Sequence, residues 1–125
     1  MTNRSLFIVE DDPAFRETFV DAMSLRGVEV RCAGSGYEGL RALQTLRPSA
    51  IILDVRLPDL HGFELCRRLK RMEGLRKTPI VLISASPAYN DPRDRTEGYL
   101  CGAAAFLAKP VSVDALWSEV GALLA

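Results

Sequence analysis

Short apolar runs that break off at polar residues, each followed by a stretch of helical period, constrain this chain more than any other feature. Leu6-Phe7-Ile8-Val9, Ala50-Ile51-Ile52-Leu53-Asp54-Val55, Ile80-Val81-Leu82-Ile83-Ser84 and Ala104-Ala105-Phe106-Leu107-Ala108 are the runs. Runs this short and this rich in branched residues read as strands buried on both faces. Val28-Glu29-Val30-Arg31-Cys32 alternates instead, as a strand with one wetter face does.

The intervening stretches carry helix signals. Asp12 is placed to cap a first helix, with Pro13 at the first helical position, where its missing N–H costs nothing. Phe15, Phe19, Ala22 and Met23 recur on one face of it, and Gly27 stops it. Ser35-Gly36-Tyr37-Glu38 has the form of a capping box ahead of Leu40, Leu43 and Leu46, and Pro48 closes that helix. Gly62 opens a helix bearing Phe63, Leu65, Cys66, Leu69 and Met72, whose other face, Arg67, Arg68, Lys70 and Arg71, reads as solvated. A proline-punctuated stretch from Pro87 to Pro92 delays the next helix to about Pro92, with Asp91 as its cap. That helix is expected to be held by Tyr99 and Leu100 against Ala104 and Ala105, and to end at Gly102. Ser112 caps a last helix with Leu116, Trp117, Val120, Leu123 and Leu124 on its apolar face.

Strands alternating with helices through short connections imply a parallel sheet with helices on both faces and right-handed crossovers, a doubly wound α/β fold. Of the two common strand orders, the five-stranded 2-1-3-4-5 arrangement fits the count, and its crevice opens at the carboxyl ends where strands 1 and 3 meet. With 125 residues there is room for one core, so residues 1–125 are expected to form a single domain. The formal net charge is zero, which favours neither nucleic acid nor an anionic membrane as a direct partner. The stretch beginning at Met1 holds no signal-peptide core, and no apolar run is long enough to span a bilayer, so a cytoplasmic location is expected. Cys32, Cys66 and Cys101 are widely spaced, form no CxxC pair and are expected to be buried thiols in a reduced compartment.

The strand exits define the chemistry. In the 2-1-3-4-5 order, strand 1 delivers Glu10 and Asp11, strand 3 Asp54, strand 4 Ser84 and strand 5 Lys109 to one crevice, while strand 2 exits at the neutral Ala33-Gly34. Carboxylates brought together repel one another unless a proton or cation offsets them. A hard divalent cation such as Mg2+, which prefers oxygen ligands and commonly joins one or two carboxylates to a phosphoryl group, answers that need. Lys109 supplies a fixed positive charge and Ser84 a hydroxyl, which together suit phosphoryl oxygens, and Asp54 can serve as the nucleophile, since carboxylates do form aspartyl phosphates. Gly34-Ser35-Gly36 lacks the spacing and the following Lys of a nucleotide-binding loop, and Ser84 follows no Gly-x-Ser-x-Gly elbow.

These residues together resemble a response regulator receiver domain, the phospho-accepting module of two-component signalling, whose fold is flavodoxin-like. The resemblance rests on Val9-Glu10-Asp11-Asp12-Pro13, on Asp54 followed by Leu57-Pro58-Asp59 and Gly62, on Ser84-Ala85, on Gly102-Ala103, and on Phe106 ahead of Lys109-Pro110. It implies that Glu10, Asp11 and Asp54 hold Mg2+ with the backbone carbonyl of Arg56, and that Asp54 accepts phosphate from a histidine kinase or phosphotransfer protein. It implies further that Ser84 and Lys109 contact the phosphoryl group, that Ser84 and Phe106 form the switch, that the Lys109-Pro110 bond is cis, and that water near Arg56 and Ser86 resets the domain. Such a domain is a signalling switch rather than an enzyme. It addresses a downstream protein or output domain, in some cases by phosphorylation-dependent dimerisation. Other readings are an unphosphorylated scaffold of the same fold and a small Mg2+-dependent phosphatase; Val55 and Arg56 offer the latter no general acid. Asp12 is read as a cap rather than a ligand, and His61, where the family usually has an acid, as a loop residue beside the site. Ser84 in place of Thr, Ala104-Ala105 in place of an acidic pair, and a longer interval between Ser84 and Lys109 are further departures from the family pattern.

Overall fold

The computed structural model describes residues 4–84, 96–97 and 100–124. Ala85, Ser86, the Pro87 to Pro92 stretch with Asp91, and Tyr99 lie outside the described residues. The elements are β1 Ser5–Val9, α1 Pro13–Ser24, β2 Glu29–Ala33, α2 Gly36–Ala42, β3 Ala50–Asp54, α3 Gly62–Arg71, β4 Ile80–Ser84, β5 Ala105–Ala108 and, following it, α4 Val113–Leu124. Thr96, Glu97 and Leu100 are helical too. The five strands form one parallel sheet in the order β2-β1-β3-β4-β5, as the alternation of runs requires.

Alternate residues of the central strands feed two cores. Ile51 and Leu53 of β3 and Ile80 and Leu82 of β4 join Leu43 beside α2 and Phe63, Leu65, Cys66 and Leu69 of α3 on one face. Ala50, Ile52, Val81 and Ile83 join Phe19 and Met23 of α1 and Leu116, Val120 and Leu124 of α4 on the other. Side chains of this kind stabilise the fold by about 1.5–3 kcal/mol each when fully buried, so covering both faces of the sheet is what holds it. The crossovers that put helices on both sides also send every strand's carboxyl end to the same edge.

The helix starts follow the sequence signals with one shift, but α2 ends at Ala42 with Leu43 as its cap, well before Pro48, because Gln44 and Thr45 bond back to Arg41 and Ala42 in tighter turns that leave Leu46 outside the helix. Asp12 Oδ1 accepts from the Ala14 N–H at 3.0 Å, Ser112 Oγ accepts from Ala115 at 3.0 Å, and Ser35 Oγ accepts from Glu38 at 3.2 Å. The return half of the Ser35 box is displaced: Glu38 Oε2 takes the N–H of Gly34 at 3.3 Å instead of that of Ser35.

Two packing expectations are corrected. Cys32 is exposed, because β2 pairs only with β1 at the sheet edge, and of its residues only Ala33 is buried. Leu100 is 73% exposed and does not pin its helix to β5; Cys101, the next residue, is the one buried in the core beside α3.

Candidate functional site

The parallel register brings the strand exits level. Val9 pairs with Leu53, which puts Glu10 beside Asp54, and Asp54 pairs with Ile83 while Ser84 pairs with Ala108, one residue before Lys109. Backbone bonds extend the ladder past the strand ends: Glu10 N–H donates to the Ala33 carbonyl at 3.0 Å, and Lys109 N–H to the Ser84 carbonyl at 2.8 Å. The Arg16 guanidinium bonds the Glu10 carbonyl at 2.7 Å, fixing the backbone as it turns from β1 into α1.

Asp54 leaves β3 almost fully buried, at 4% exposure. Its Oδ1 accepts from the Arg56 N–H at 3.0 Å, which orients the carboxylate as the chain turns. The turn is pressed against the start of α3, where a Cβ on Gly62 would fall 2.5 Å from Val55 Cα and 2.6 Å from the Asp54 carbonyl oxygen. Only a residue without a side chain lets α3 begin there, with Gly62 N–H bonded to the Val55 carbonyl at 2.7 Å.

Lys109 spans the acids. Its Nζ lies 2.5 Å from Glu10 Oε1 and 3.1 Å from Asp54 Oδ2, and it sits 4.5 Å from the centre of the Phe15 ring. Burial opposes the Lys109 ammonium, but the Glu10 bond and the Asp54 charge outweigh it and raise its pKa above the ordinary lysine value. Glu10 is fully buried, and this burial, reinforced by the neighbouring Asp54 carboxylate, pushes its pKa from 4.5 up to about 8. One ammonium is therefore too little positive charge for the carboxylates around it.

The donor set fits a hard divalent cation. Glu10, Asp11 and Asp54 each place a carboxylate oxygen so that all lie within 4.8 Å of one another. Glu10 Oε2 is buried with no hydrogen-bond partner among the described residues, an acceptor that a cation would satisfy. Asp12 stays out of the cluster as the cap of α1.

Ser84 is fully buried at the end of β4, and its Oγ also has no hydrogen-bond partner among the described residues. Its neighbour Leu82 pairs with Phe106, which is 5% exposed and meets Phe63 of α3 edge-on, ring centres 6.1 Å apart. The structure thus brings Glu10, Asp11, Asp54 and Lys109 into direct proximity, while the Ser84 hydroxyl makes no bond to them. Phe106 lies in the core behind them.

Three contributors were not evident from sequence. Phe15, which its spacing places only on a helix face, lies against the Lys109 ammonium. Asp59 was a motif residue without a role, yet its carboxylate accepts from Gly36 and Tyr37 at 2.8 and 2.9 Å, tying the loop after Asp54 to the start of α2. Those bonds, that from Tyr37 foremost, hold its pKa below the ordinary 3.8. His61, expected as a plain loop residue, caps α3 through Nδ1, which accepts from Phe63 N–H at 3.2 Å. A Ser-x-x-Glu box can be read locally, but bonds spanning 22 residues or more have no local signal.

Comparison with known proteins agrees with this geometry. The family described as response regulator receiver domain matches residues 6–121. The chain is 39% identical over 120 residues to the transcriptional regulatory protein AfsQ1 of Streptomyces coelicolor, covering 96% of this chain and 51% of that protein. It therefore spans about half the length of the curated relatives it matches. Among solved structures, chemotaxis response regulator CheY4 of Vibrio cholerae superposes with a TM-score of 0.90 at 28% identity, covering 98% of this chain and 100% of that one. The receiver domain of the sensor histidine kinase PA1611 from Pseudomonas aeruginosa PAO1, described with a magnesium ion coordinated in its active site cleft, gives 0.86 at 25% identity over 98% of both chains. With this match over most of its length, the doubly wound sheet and an acid cluster bridged by a lysine at its carboxyl edge, the chain belongs to the response regulator receiver domain family.

Proposed function

We propose that this domain accepts a phosphoryl group on Asp54 from the phospho-histidine of a kinase or phosphotransfer protein and passes the signal on by a change of conformation. The observation that carries the reading is the bridge of Lys109 between Asp54 Oδ2 and Glu10 Oε1, at 3.1 and 2.5 Å, beside a cluster of three carboxylates. An Asp54 oxygen attacks phosphorus, the P–N bond to the imidazole breaks, and the departing nitrogen leaves with its electron pair. Lys109 supplies charge for the phosphoryl oxygens as negative charge redistributes in the transition state. Glu10, Asp11 and Asp54, with the Arg56 carbonyl, would hold Mg2+, which offsets the charge of the incoming group. The Arg56 N–H keeps Asp54 oriented, and the Ser84 hydroxyl, buried and without a partner among the described residues, is available to the phosphoryl group once it arrives.

The transfer is a signalling event. The domain promotes its own phosphorylation and dephosphorylation, and we place it in the cytoplasm, where a kinase can reach it. No described helix is long and apolar enough to cross a membrane. Output, whether to an attached domain, a protein partner or a second copy, is assigned to the face around Phe106. DNA binding of the kind named for RpaA of Synechocystis would fall to an output domain, since this chain is electrically neutral overall. Intact-mass spectrometry with a small phosphodonor tests the reading. One phosphoryl increment is expected with Mg2+, and none with EDTA or in Asp54→Asn. An increment that survives either condition, or none with Mg2+, overturns it.

A further inference from the structure

Cys66 and Cys101 form a pair that the phosphoryl chemistry does not use. Both are buried, at 0% and 3% exposure, and both belong to the core between the sheet and α3. Cys66 lies on α3 and Cys101 in the turn leading to β5, yet Cys66 Sγ donates to the Cys101 carbonyl oxygen at 3.4 Å across 35 residues of sequence. The chains around them are clamped, because the Arg67 guanidinium, one residue after Cys66, pairs with the Glu97 carboxylate.

The pair is asymmetric. Cys101 is flanked by Leu100, at 73% exposure, and by exposed Gly102, so the turn that carries it borders solvent, whereas Cys66 sits within α3. The bond from Cys66 and the nearby Arg67 charge lower the Cys101 pKa, while donation to Cys101 and burial raise that of Cys66. A more acidic thiol near the surface with a second thiol behind it is the arrangement in which an attacking cysteine meets a resolving one.

We propose that Cys66 and Cys101 are a redox-modification site, oxidised by a small peroxide to a disulfide that ties α3 to the chain entering β5. The Cys101 thiolate attacks one oxygen of hydrogen peroxide, the O–O bond breaks, and the hydroxide released takes up the proton Cys101 gave up, forming water. The Cys66 sulfur then attacks the Cys101 sulfenic sulfur; the S–S bond forms, the S–O bond breaks, and the departing hydroxide takes the Cys66 proton as a second water. Two thiols and one peroxide thus give one disulfide and two waters. Because both sulfurs are nearly covered, the reaction runs through local opening of the turn at Cys101, and it is slower than oxidation of an exposed thiol. The site stands independently of phosphorylation. That the crosslink would also restrain the chain before Phe106, and so weaken the response to phosphate, rests on the proposed function.

The test uses the folded chain carrying Cys32→Ser, which removes the exposed thiol. Treatment with hydrogen peroxide should remove about 2 Da, the two thiol hydrogens. A non-reducing peptide map should join the peptides holding residues 66 and 101, and dithiothreitol should restore the starting mass. Adding Cys66→Ser should convert the product to a sulfenic or sulfinic acid on Cys101, whereas adding Cys101→Ser should leave Cys66 largely unreacted. Oxygen addition to either cysteine in the Cys32→Ser chain without a 66–101 crosslink, thiols still reduced after peroxide exposure many-fold longer than fully oxidises Cys32 in the parent, or equal reactivity of the two single-cysteine chains would overturn it.

Discussion

Among individual residues, the acid cluster sets stability against function. Glu10, Asp11 and Asp54 carry three carboxylates within 4.8 Å of one another, and Lys109 bonds two of them. Asp11 is the member to alter, because it is exposed and caps nothing, whereas Asp54 also anchors Lys109 and Arg56. Asp11→Asn should be more stable than the parent in EDTA, by about 1 kcal/mol given the screening at an exposed position. Mg2+ should raise the melting temperature of the parent more than that of the variant, since a ligand bound only by the folded state stabilises according to its affinity. Thermal melts in EDTA and in Mg2+ check both points, and equal gains with Mg2+ would show that Asp11 takes no part in holding the cation.

At the scale of elements, the loop between β3 and α3 is braced from two sides, by Gly62 packing on Val55 and by the Asp59 carboxylate on the first amides of α2. Asp59 titrates lower in the folded chain than the ordinary 3.8, so its charge stabilises the fold above that value, and the contribution disappears as pH falls through the depressed folded pKa. Asp59→Asn should therefore be less stable than the parent at pH 7 and draw level with it once the pH has fallen through that depressed pKa. The difference at pH 7 belongs at the lower end of about 0.3–1 kcal/mol, because Asp59 is exposed to solvent and screened by salt. Urea melts from pH 7 down into the acid range decide it, and a gap that does not shrink as the pH falls would mean the loop depends on Asp59 for shape rather than charge. This brace shows where local reading stops. Strand runs, the Asp12, Ser35 and Ser112 caps and the polar strand exits all lie within a few residues of their signals, so strand order and the acid cluster were legible. The Asp59 bonds, the Phe15 contact with Lys109 and the exposure of Cys32 and Leu100 depend on which remote segment arrives alongside, and no local spacing records that.

Across the whole molecule, the question is how charge at the carboxyl edge reaches a surface. The sheet is tightly packed on both faces, and close-packed interiors switch between discrete arrangements more readily than they deform. Ser84 lies between the acid cluster and Phe106 in this packing: it follows Asp54 across the β3–β4 register, pairs with Ala108, and holds a buried hydroxyl without a partner among the described residues. A phosphoryl oxygen on Asp54 would give that hydroxyl an acceptor, and drawing Ser84 toward it would loosen the β4–β5 contact on which the edge-on Phe63–Phe106 packing rests. Two pre-existing arrangements would then be reweighted, and moving from mostly one to mostly the other requires a few kcal/mol of differential interaction, within reach of one or two charge-assisted bonds. Beryllofluoride, a mimic of the phosphoryl group, should accordingly change amide exchange from Cys101 to Lys109 by several-fold and leave β1 and β2 nearly unaltered. Ser84→Ala should still bind the mimic, detected as retained protection around Asp54, but should lose most of the change at Phe106. If exchange from Cys101 to Lys109 responds equally in Ser84→Ala, the signal bypasses this hydroxyl. If the response is confined to the loop from Val55 to His61, it leaves instead along α3 and the Asp59 brace to α2.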